Sequence, residues 1–484
     1  MDFAGGHVLS APGDPLVALV AYLIVILGLL GVVLSARTPA ERAVRLLFLY
    51  LVYGTFEVAV KRLTHFAWYV YPIKFGLFFL VVAAWWTARP SIAAHRLRPP
   101  LLVVVSLYIA LAALQIFNPY QGNPIVGVLG WMTDFMYVVL YFVAFDLLRD
   151  ERVVLRLLWV TAALGVASAV SCVGEMWYGA EQLQRMYPTF VPLLVFTPGG
   201  DVFYRPTSLV PYMEIFGIAA MVAMLAMRRQ RVVLLLGGIA LCVAASLFHA
   251  IRITWVTTLL FLALFTLLDR RKSWIGASVV VACVALSIQT FDLGGGMLEQ
   301  SLESATTPVQ TFERNRLGGL LSITRIVSEY PLGLGVGESS PGLRFLDGRR
   351  GSQTRLGTHN YLTDLAGQLS LAGPLLLLAF GFGIGRLGVG APGHLGGSDV
   401  RGIVIKAATA LFGAVLISFF GGGALGAYPE NEYFWLMAGV IARLASPAVN
   451  IRLAAVRVPA GRGLVRMRRE IAAGGVARGR GAVR

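Results

Sequence analysis

Charge is what this chain has least of. Across 484 residues only 14% are charged, 57% are hydrophobic, and mean hydropathy is +0.73. A soluble protein would carry roughly 25% charged residues, so the two or three soluble domains that length alone allows are excluded. Lysine is scarcer still: Lys61, Lys74, Lys272 and Lys406 are all there is, and arginine supplies the rest of the +16 net charge. The three cysteines, Cys172, Cys242 and Cys283, each sit in an apolar run. They offer neither a disulfide framework nor a metal spacing and read as small buried side chains. No zinc pattern, no His-x-Glu-x-x-His, no Gly-x-Ser-x-Gly and no carboxylate cluster of divalent-metal type occurs. An enzyme built on this chain is therefore expected to need no metal and no cofactor.

What is there in quantity is hydrocarbon. A membrane-crossing helix needs roughly 20 mostly apolar residues, and such runs recur at 15–36, 43–60, 69–87, 100–117, 125–148, 154–177, 209–227, 232–250, 253–268, 273–290, 360–384, 403–420 and 432–444. The expected fold class is all-α: a polytopic membrane protein of 12–13 transmembrane helices with a large outer loop containing short helices. The second run is the weakest, because Glu57, Lys61 and Arg62 crowd its end. The first 14 residues lack a basic n-region, and the first run is too long for a signal-peptide core, so it is expected to remain as a membrane helix.

Arginine and lysine in short loops orient the spans. Residues 89–98, 149–156, 228–231, 269–272 and the tail from 441, with ten Arg and one Glu, belong on the cytoplasmic side. Segments 118–124, 178–208, 249–252, 291–358 and 421–431 alternate onto the outer side. The basic tail, 447–484, directly follows a span and is expected to lie on anionic lipid rather than on nucleic acid. Three regions result: N-terminal helices over 1–203, a core over 204–446 that includes outer loop 291–358, and the tail. Loops of about thirty (178–208) and nearly seventy residues (291–358) are long enough to suggest function. The larger carries an amphipathic helix over 309–330, with Arg314, Arg316 and Arg325, and then Pro331-Leu332-Gly333-Leu334-Gly335-Val336-Gly337. That glycine run follows no strand–turn–helix unit, so it is no nucleotide fingerprint. Its expected role is a sharp, closely packed turn.

Few polar residues fall where chemistry is possible. His359 opens the run that begins at 360, with Thr358 as the expected N-cap. At a helix N-terminus imidazole stays neutral and is suited to general-base work; the alternative is a histidine that merely caps a helix. Asn360 beside it is placed to orient a ligand, and Asp364 sits inside the apolar run, where ionisable groups face the bundle interior. Arg252, in His249-Ala250-Ile251-Arg252, stands between two spans on the side where the positive-inside rule disfavours it. It either holds an anion through its planar fork or pairs with Glu214 or Asp364. Arg205 precedes the seventh span and Glu214 lies within it. Arg316 and Arg325 either contact substrate or are solvated. Tyr428-Pro429-Glu430-Asn431-Glu432 reads as a short acidic outer loop that pairs with an arginine or meets sugar hydroxyls.

In combination these pieces resemble the O-antigen ligase and O-antigen polymerase superfamily of bacterial envelope glycosyltransferases. The resemblance lies in Tyr330–Gly337, then His359-Asn360-Tyr361-Leu362, then Leu369-Ser370-Leu371-Ala372-Gly373, with Arg205 and Arg252 each preceding a span. It covers about 204–435 and is topological before that. Gln368 and Ser370 stand where the family often has an acidic residue and a glycine. The resemblance implies a multi-pass inner-membrane enzyme whose substrate is an undecaprenyl-diphosphate-linked glycan at the periplasmic face. His359 would be the base, Arg252 and Arg205 would bind diphosphate, and Arg316, Arg325, Asn360 and Glu214 would assist. Implied partners are an acceptor glycan or lipid A-core, membrane lipids, and a flippase and chain-length regulator of the polysaccharide pathway. Polymerase is the first expectation and ligase the second. A transporter using Asp134, Glu57 and Asp364 as an ion path is the rival from another class, though no interrupted pair of spans marks inverted halves.

Overall fold

The computed structural model describes residues 35–63, 71–92, 98–121, 123–179, 181–183, 193–196, 202–205, 209–210, 212–227, 231–249, 252–269, 318–337, 360–391, 400–420 and 429–446, with scattered positions between 20 and 33. In chain order the elements are α1 (Pro39–Leu63), α2 (Tyr71–Ile92), α3 (Leu102–Leu114), α4 (Pro124–Asp134), α5 (Val139–Leu147) and α6 (Glu151–Tyr178). A hairpin follows, β1 (Leu193–Phe196) and β2 (Val202–Arg205), then α7 (Met213–Ala226), α8 (Val232–Phe248) and α9 (Arg252–Leu268). The rest is α10 (Gly318–Glu329), α11 (Tyr361–Leu369), α12 (Ala372–Val389), α13 (Val400–Ser418) and α14 (Glu430–Ala445).

This is a helical membrane protein. Pro124–Leu147, Glu151–Gly179, Ala372–Val389 and Val400–Ser418 are each long and apolar enough to cross a bilayer, and α3, α7, α8 and α9 are shorter apolar helices. Large apolar side chains such as Val233, Phe382 and Leu267 face outward, as lipid-facing surface requires. Within the bundle a set of polar side chains is buried, among them Asp134, Glu214, Asp269, Lys406, Asn431 and Glu432. The expected spans from 43 to 268 appear as helices, while 273–290, most of 15–36 and the basic tail lie outside the described residues.

The centre of the bundle is α14, in which every residue but Arg443 is buried. A helix that is covered on all sides belongs to the core of a large bundle. Its neighbours approach closely where glycine permits. A Cβ on Gly439 would stand 2.5 Å from the Tyr141 carbonyl oxygen of α5. The α6–α7 crossing is of the same kind: a Cβ on Gly165 would stand 2.6 Å from the Gly217 Cα. Aromatic rings, Phe412 stacked on Phe434 at 4.5 Å and Phe380 tilted against Trp435 at 5.0 Å, fill the space between α12, α13 and α14.

Helix α9 packs along α13. Lys406 Nζ, near the start of α13, donates to Asp269 Oδ1, just past the end of α9, at 2.9 Å, and both side chains are buried. The two helices are therefore antiparallel. The start of α9 lies beside the end of α13.

Two expectations need correction. The run 360–384 is not one span: Ser370 takes φ +58°, so the chain turns sharply between the nine-residue α11 and the membrane-length α12. The all-α class holds; segment 178–208 adds to it one short antiparallel hairpin, with Leu193 opposite Arg205. Glu430, Asn431 and Glu432 form no outer loop. They are the buried first turn of α14, and Glu432 pairs with a lysine, Lys74, at 2.8 Å rather than with an arginine.

Replacing Lys406 with Met should strand the Asp269 carboxylate in a buried site and destabilise the fold by about 3–5 kcal/mol. The double variant Lys406→Met/Asp269→Leu should recover most of that loss. Thermal unfolding in detergent measures both, and an equal loss in the double variant would deny the coupling.

Candidate functional site

The histidine–asparagine motif is built on a local cap. Asn360 has extended backbone (φ −123°, ψ 116°), and its Oδ1 accepts from the Leu362 amide at 3.0 Å. Asn360, not Thr358, is thus the N-cap of α11. Asparagine is among the best residues at that position because its side-chain oxygen takes up an orphan amide of the first turn. Its Nδ2 donates to the Phe420 carbonyl at 3.2 Å, tying the start of α11 to the end of α13. The side chain is fully buried. His359, Thr358, Arg314 and Arg316 lie outside the described residues.

The glycine run is a turn, as its composition demands. Gly333, Gly335 and Gly337 take φ of 81°, 97° and 109°, which side-chain-bearing residues rarely adopt. Between them Leu334 and Val336 are buried. The turn is wedged between two parts of the chain. On one side Gln115 Nε2 donates to the Leu332 carbonyl at 2.5 Å and Asn118 Nδ2 to the Gly333 carbonyl at 3.0 Å. On the other, the Leu334 amide donates to the Gly367 carbonyl at 2.7 Å and Ser370 Oγ to the Pro331 carbonyl at 2.6 Å. A Cβ on Gly335 would stand 2.4 Å from Gln121 Oε1, and one on Gly337 would stand 2.5 Å from the Val126 carbonyl oxygen. Turn and α11 are one packed unit.

Beneath α11 lies a buried polar group that sequence reading did not assemble. Asp134 Oδ2 accepts from Gln368 Nε2 at 3.3 Å, and the Asp134 carbonyl accepts from Asn431 Nδ2 at 3.0 Å. Asp134 Oδ1 is buried without a hydrogen-bond partner among the described residues. One residue along α14, Glu432 accepts from Tyr50 at 2.9 Å and from Lys74 at 2.8 Å. Glu57 stands 3.9 Å from that same lysine. The first turn of α14 therefore joins two polar groups. The signal available in the sequence was the presence of ionisable residues inside apolar runs, which identifies them but not their partners.

The remaining expected site residues fall in three places. Arg252 is the first residue of α9 and Arg205 the last of β2; the side chains of both lie outside the description. Glu214, in the first turn of α7, is buried, with Oε1 3.3 Å from His249 Nε2 at the end of α8. This pair holds the α8–α9 corner, and with it the start of α9, against the start of α7. Arg325 is exposed on α10 and pairs within its own helix with Glu329 at 2.7 Å. Solvent screens an exposed i,i+4 pair of that kind, so it contributes little to stability.

Two contacts bring the motifs to one end of the bundle. The Lys406–Asp269 pair sets the start of α9 beside the end of α13. The Asn360–Phe420 bond sets the start of α11 at that same end of α13. The backbone of Arg252, the Glu214–His249 pair and the Asn360 cap thus share one end.

No protein-family model matches the sequence, and no curated protein matches it.

Replacing Gly335 with Ala should destabilise the turn by roughly 1–3 kcal/mol through its φ and its contact with Gln121, read as a lower unfolding temperature; an unchanged temperature would contradict the packing described. Gln368→Glu should set a second carboxylate against Asp134 and cost about 1–3 kcal/mol. Adding Asp134→Asn should restore stability, and failure of that rescue would show that the two side chains do not meet.

Proposed function

We propose that this chain is an integral membrane glycan transferase, and within that class a polymerase of lipid-linked repeat units. The donor is a glycan on an undecaprenyl diphosphate, presented at the outer face of the bacterial inner membrane. The reading rests on one observation above others: Arg252, Glu214 and the Asn360 cap that directly follows His359 share one end of the bundle. The residue types at that end suit the reaction. A hydroxyl of the acceptor sugar attacks the anomeric carbon of the donor, its proton passes to the His359 imidazole, and the bond from that carbon to the diphosphate oxygen breaks. The lipid diphosphate leaves with the electron pair, its growing charge met by the guanidinium groups of Arg252 and Arg205. A direct displacement inverts the anomeric centre. Holding donor and acceptor in one site supplies the proximity that the two-chain reaction lacks in the bilayer.

A ligase that moves the glycan to lipid A-core differs only in its acceptor. Loss of the gene separates the two: single repeats still attached to the surface mean a polymerase, and long unattached lipid-linked polymer means a ligase. The buried Asp134 and the Glu57–Lys74–Glu432 group support the transporter reading, which requires solute movement dependent on an ion gradient.

The direct test is transfer from purified lipid-linked glycan by the reconstituted protein. His359→Ala and Arg252→Ala should each fold normally and lose transfer by about 100-fold or more, the scale set by removal of a general base or an anion-stabilising donor. Full activity in His359→Ala would sink the base assignment.

A further inference from the structure

At the other end of α14 the chain forms a second site. The start of α1, the end of α5 and the start of α6 enclose a pocket of about 300 Å³, lined by Glu41, Arg45, Asp146, Arg149, Asp150 and Arg156 over an apolar floor that includes Val44, Phe48, Leu147 and Val153. It stands near Arg443, in the last turn of α14, whose guanidinium lies over the Phe145 ring of α5. The volume falls at the lower end of the range of small-molecule sites.

The lining contains three carboxylates and three guanidinium groups. Their ion pairs are unevenly shared, because Arg89 from outside the lining adds a further positive charge beside Asp146. Glu41 is occupied by Arg45 at 2.5 Å and by the Arg37 amide at 3.0 Å. Asp146 accepts from the Trp85 indole at 2.9 Å and stands 3.9 Å from Arg89 Nε. Asp150 is the N-cap of α6 and accepts from the Arg152 amide at 3.0 Å. Arg45 is spent on Glu41 and on Ser35 Oγ. That leaves Arg149 and Arg156, both exposed, with no hydrogen-bond or ion-pair partner among the described residues. Asp150 keeps its charge, since its partner is a neutral amide, so the two guanidinium groups unpaired among the described residues outnumber it and leave the pocket an excess positive charge. That excess favours an anion, and the planar forks fit phosphate oxygens.

The floor narrows the choice of anion. A soluble phosphate makes no use of Val44, Phe48, Leu147 and Val153, whereas a phospholipid brings glycerol and acyl carbons directly below its phosphate. Helix α2 presents an apolar outer surface, with Phe79, Leu80 and Trp86 exposed, and it reaches the pocket's edge where Trp85 bonds Asp146. We propose that this pocket binds the phosphate headgroup of an anionic phospholipid through Arg149 and Arg156. The site is separate from the end that carries Asn360 and does not depend on the transferase reading.

The test uses the full-length protein in neutral detergent, titrated in native mass spectrometry with phosphatidylglycerol, with phosphatidylcholine of the same acyl chains, and with glycerol phosphate. Phosphatidylglycerol should bind more tightly than phosphatidylcholine. Arg149→Gln/Arg156→Gln should weaken it by roughly 10- to 30-fold, from the contribution of each basic residue near an anionic lipid surface. Arg152→Gln, on the same turn but outside the pocket lining, should leave it unchanged, and Arg149→Lys/Arg156→Lys should retain most of it. Each single Gln variant should give an intermediate loss, which keeps the test valid if the double variant folds poorly. Equal binding by the double Gln variant and the unmodified protein would overturn the proposal. So would equal affinity for phosphatidylcholine, and glycerol phosphate binding as tightly as the lipid would overturn the lipid assignment in favour of a soluble phosphate.

Discussion

The arrangement of this bundle depends on one buried ion pair. Lys406 and Asp269 meet at 2.9 Å where neither is exposed. In energy such a pair gains little over two apolar residues of the same shape, because desolvation offsets attraction. Its value is in register. Sliding α9 along α13 by one helical turn, about 5.4 Å, would separate the charges and leave each unpaired in the core. The pair therefore selects one alignment of two otherwise featureless apolar helices. Through that alignment it determines which residues stand at the far end of α13, where the Asn360 cap is bound.

The same logic operates at the first turn of α14. Asn431 and Glu432 are fully buried in a bundle whose outer surface is apolar. Asn431 bonds the Asp134 carbonyl through Nδ2 and the Trp435 indole through Oδ1, and Glu432 gathers Tyr50 and Lys74. Apolar packing alone would let α14 rotate or shift among near-equivalent positions. A polar turn with fixed partners on α1, α2 and α4 removes those alternatives. Close glycine contacts at Gly439 and Gly165 then allow the backbones to approach only in the arrangement the polar groups have chosen.

Much of this was legible in the sequence, and the remainder was hidden for identifiable reasons. Apolar runs mark the helices because bilayer thickness sets their length. The Pro331–Gly337 turn was legible because alternating glycines state a local backbone need. The break at Ser370 was not, since Leu369-Ser370-Leu371-Ala372 keeps its hydropathy while one residue changes its φ. Nor was the cap: threonine at 358 and asparagine at 360 are both good N-caps, and only geometry chooses. Partners of buried charges were the least accessible. Lys74 and Glu432, or Lys406 and Asp269, stand far apart in the chain, and a single charge in an apolar run announces burial without naming what it meets. Glu430–Glu432 misled for the same reason, because a cluster of acids beside a proline resembles a solvated loop until its partners are known.

Gln368 and Ser370, the two positions at which the sequence departs from the expected family pattern, fall on this same framework. Ser370 has φ +58°, in the region where glycine is unstrained, so the backbone demand that glycine would meet is still present. Its hydroxyl adds a bond to the Pro331 carbonyl at 2.6 Å that glycine lacks, offsetting the strain of a side chain there. Gln368 faces Asp134 at 3.3 Å. A carboxylate in its place would oppose another carboxylate, whereas the neutral amide donates to it. Both residues act on contacts of α11 with the turn and with α4, at the end of α11 opposite the Asn360 cap. They are adjustments in how the motif is supported, and they leave the residues that open α11 free to keep whatever chemistry they perform.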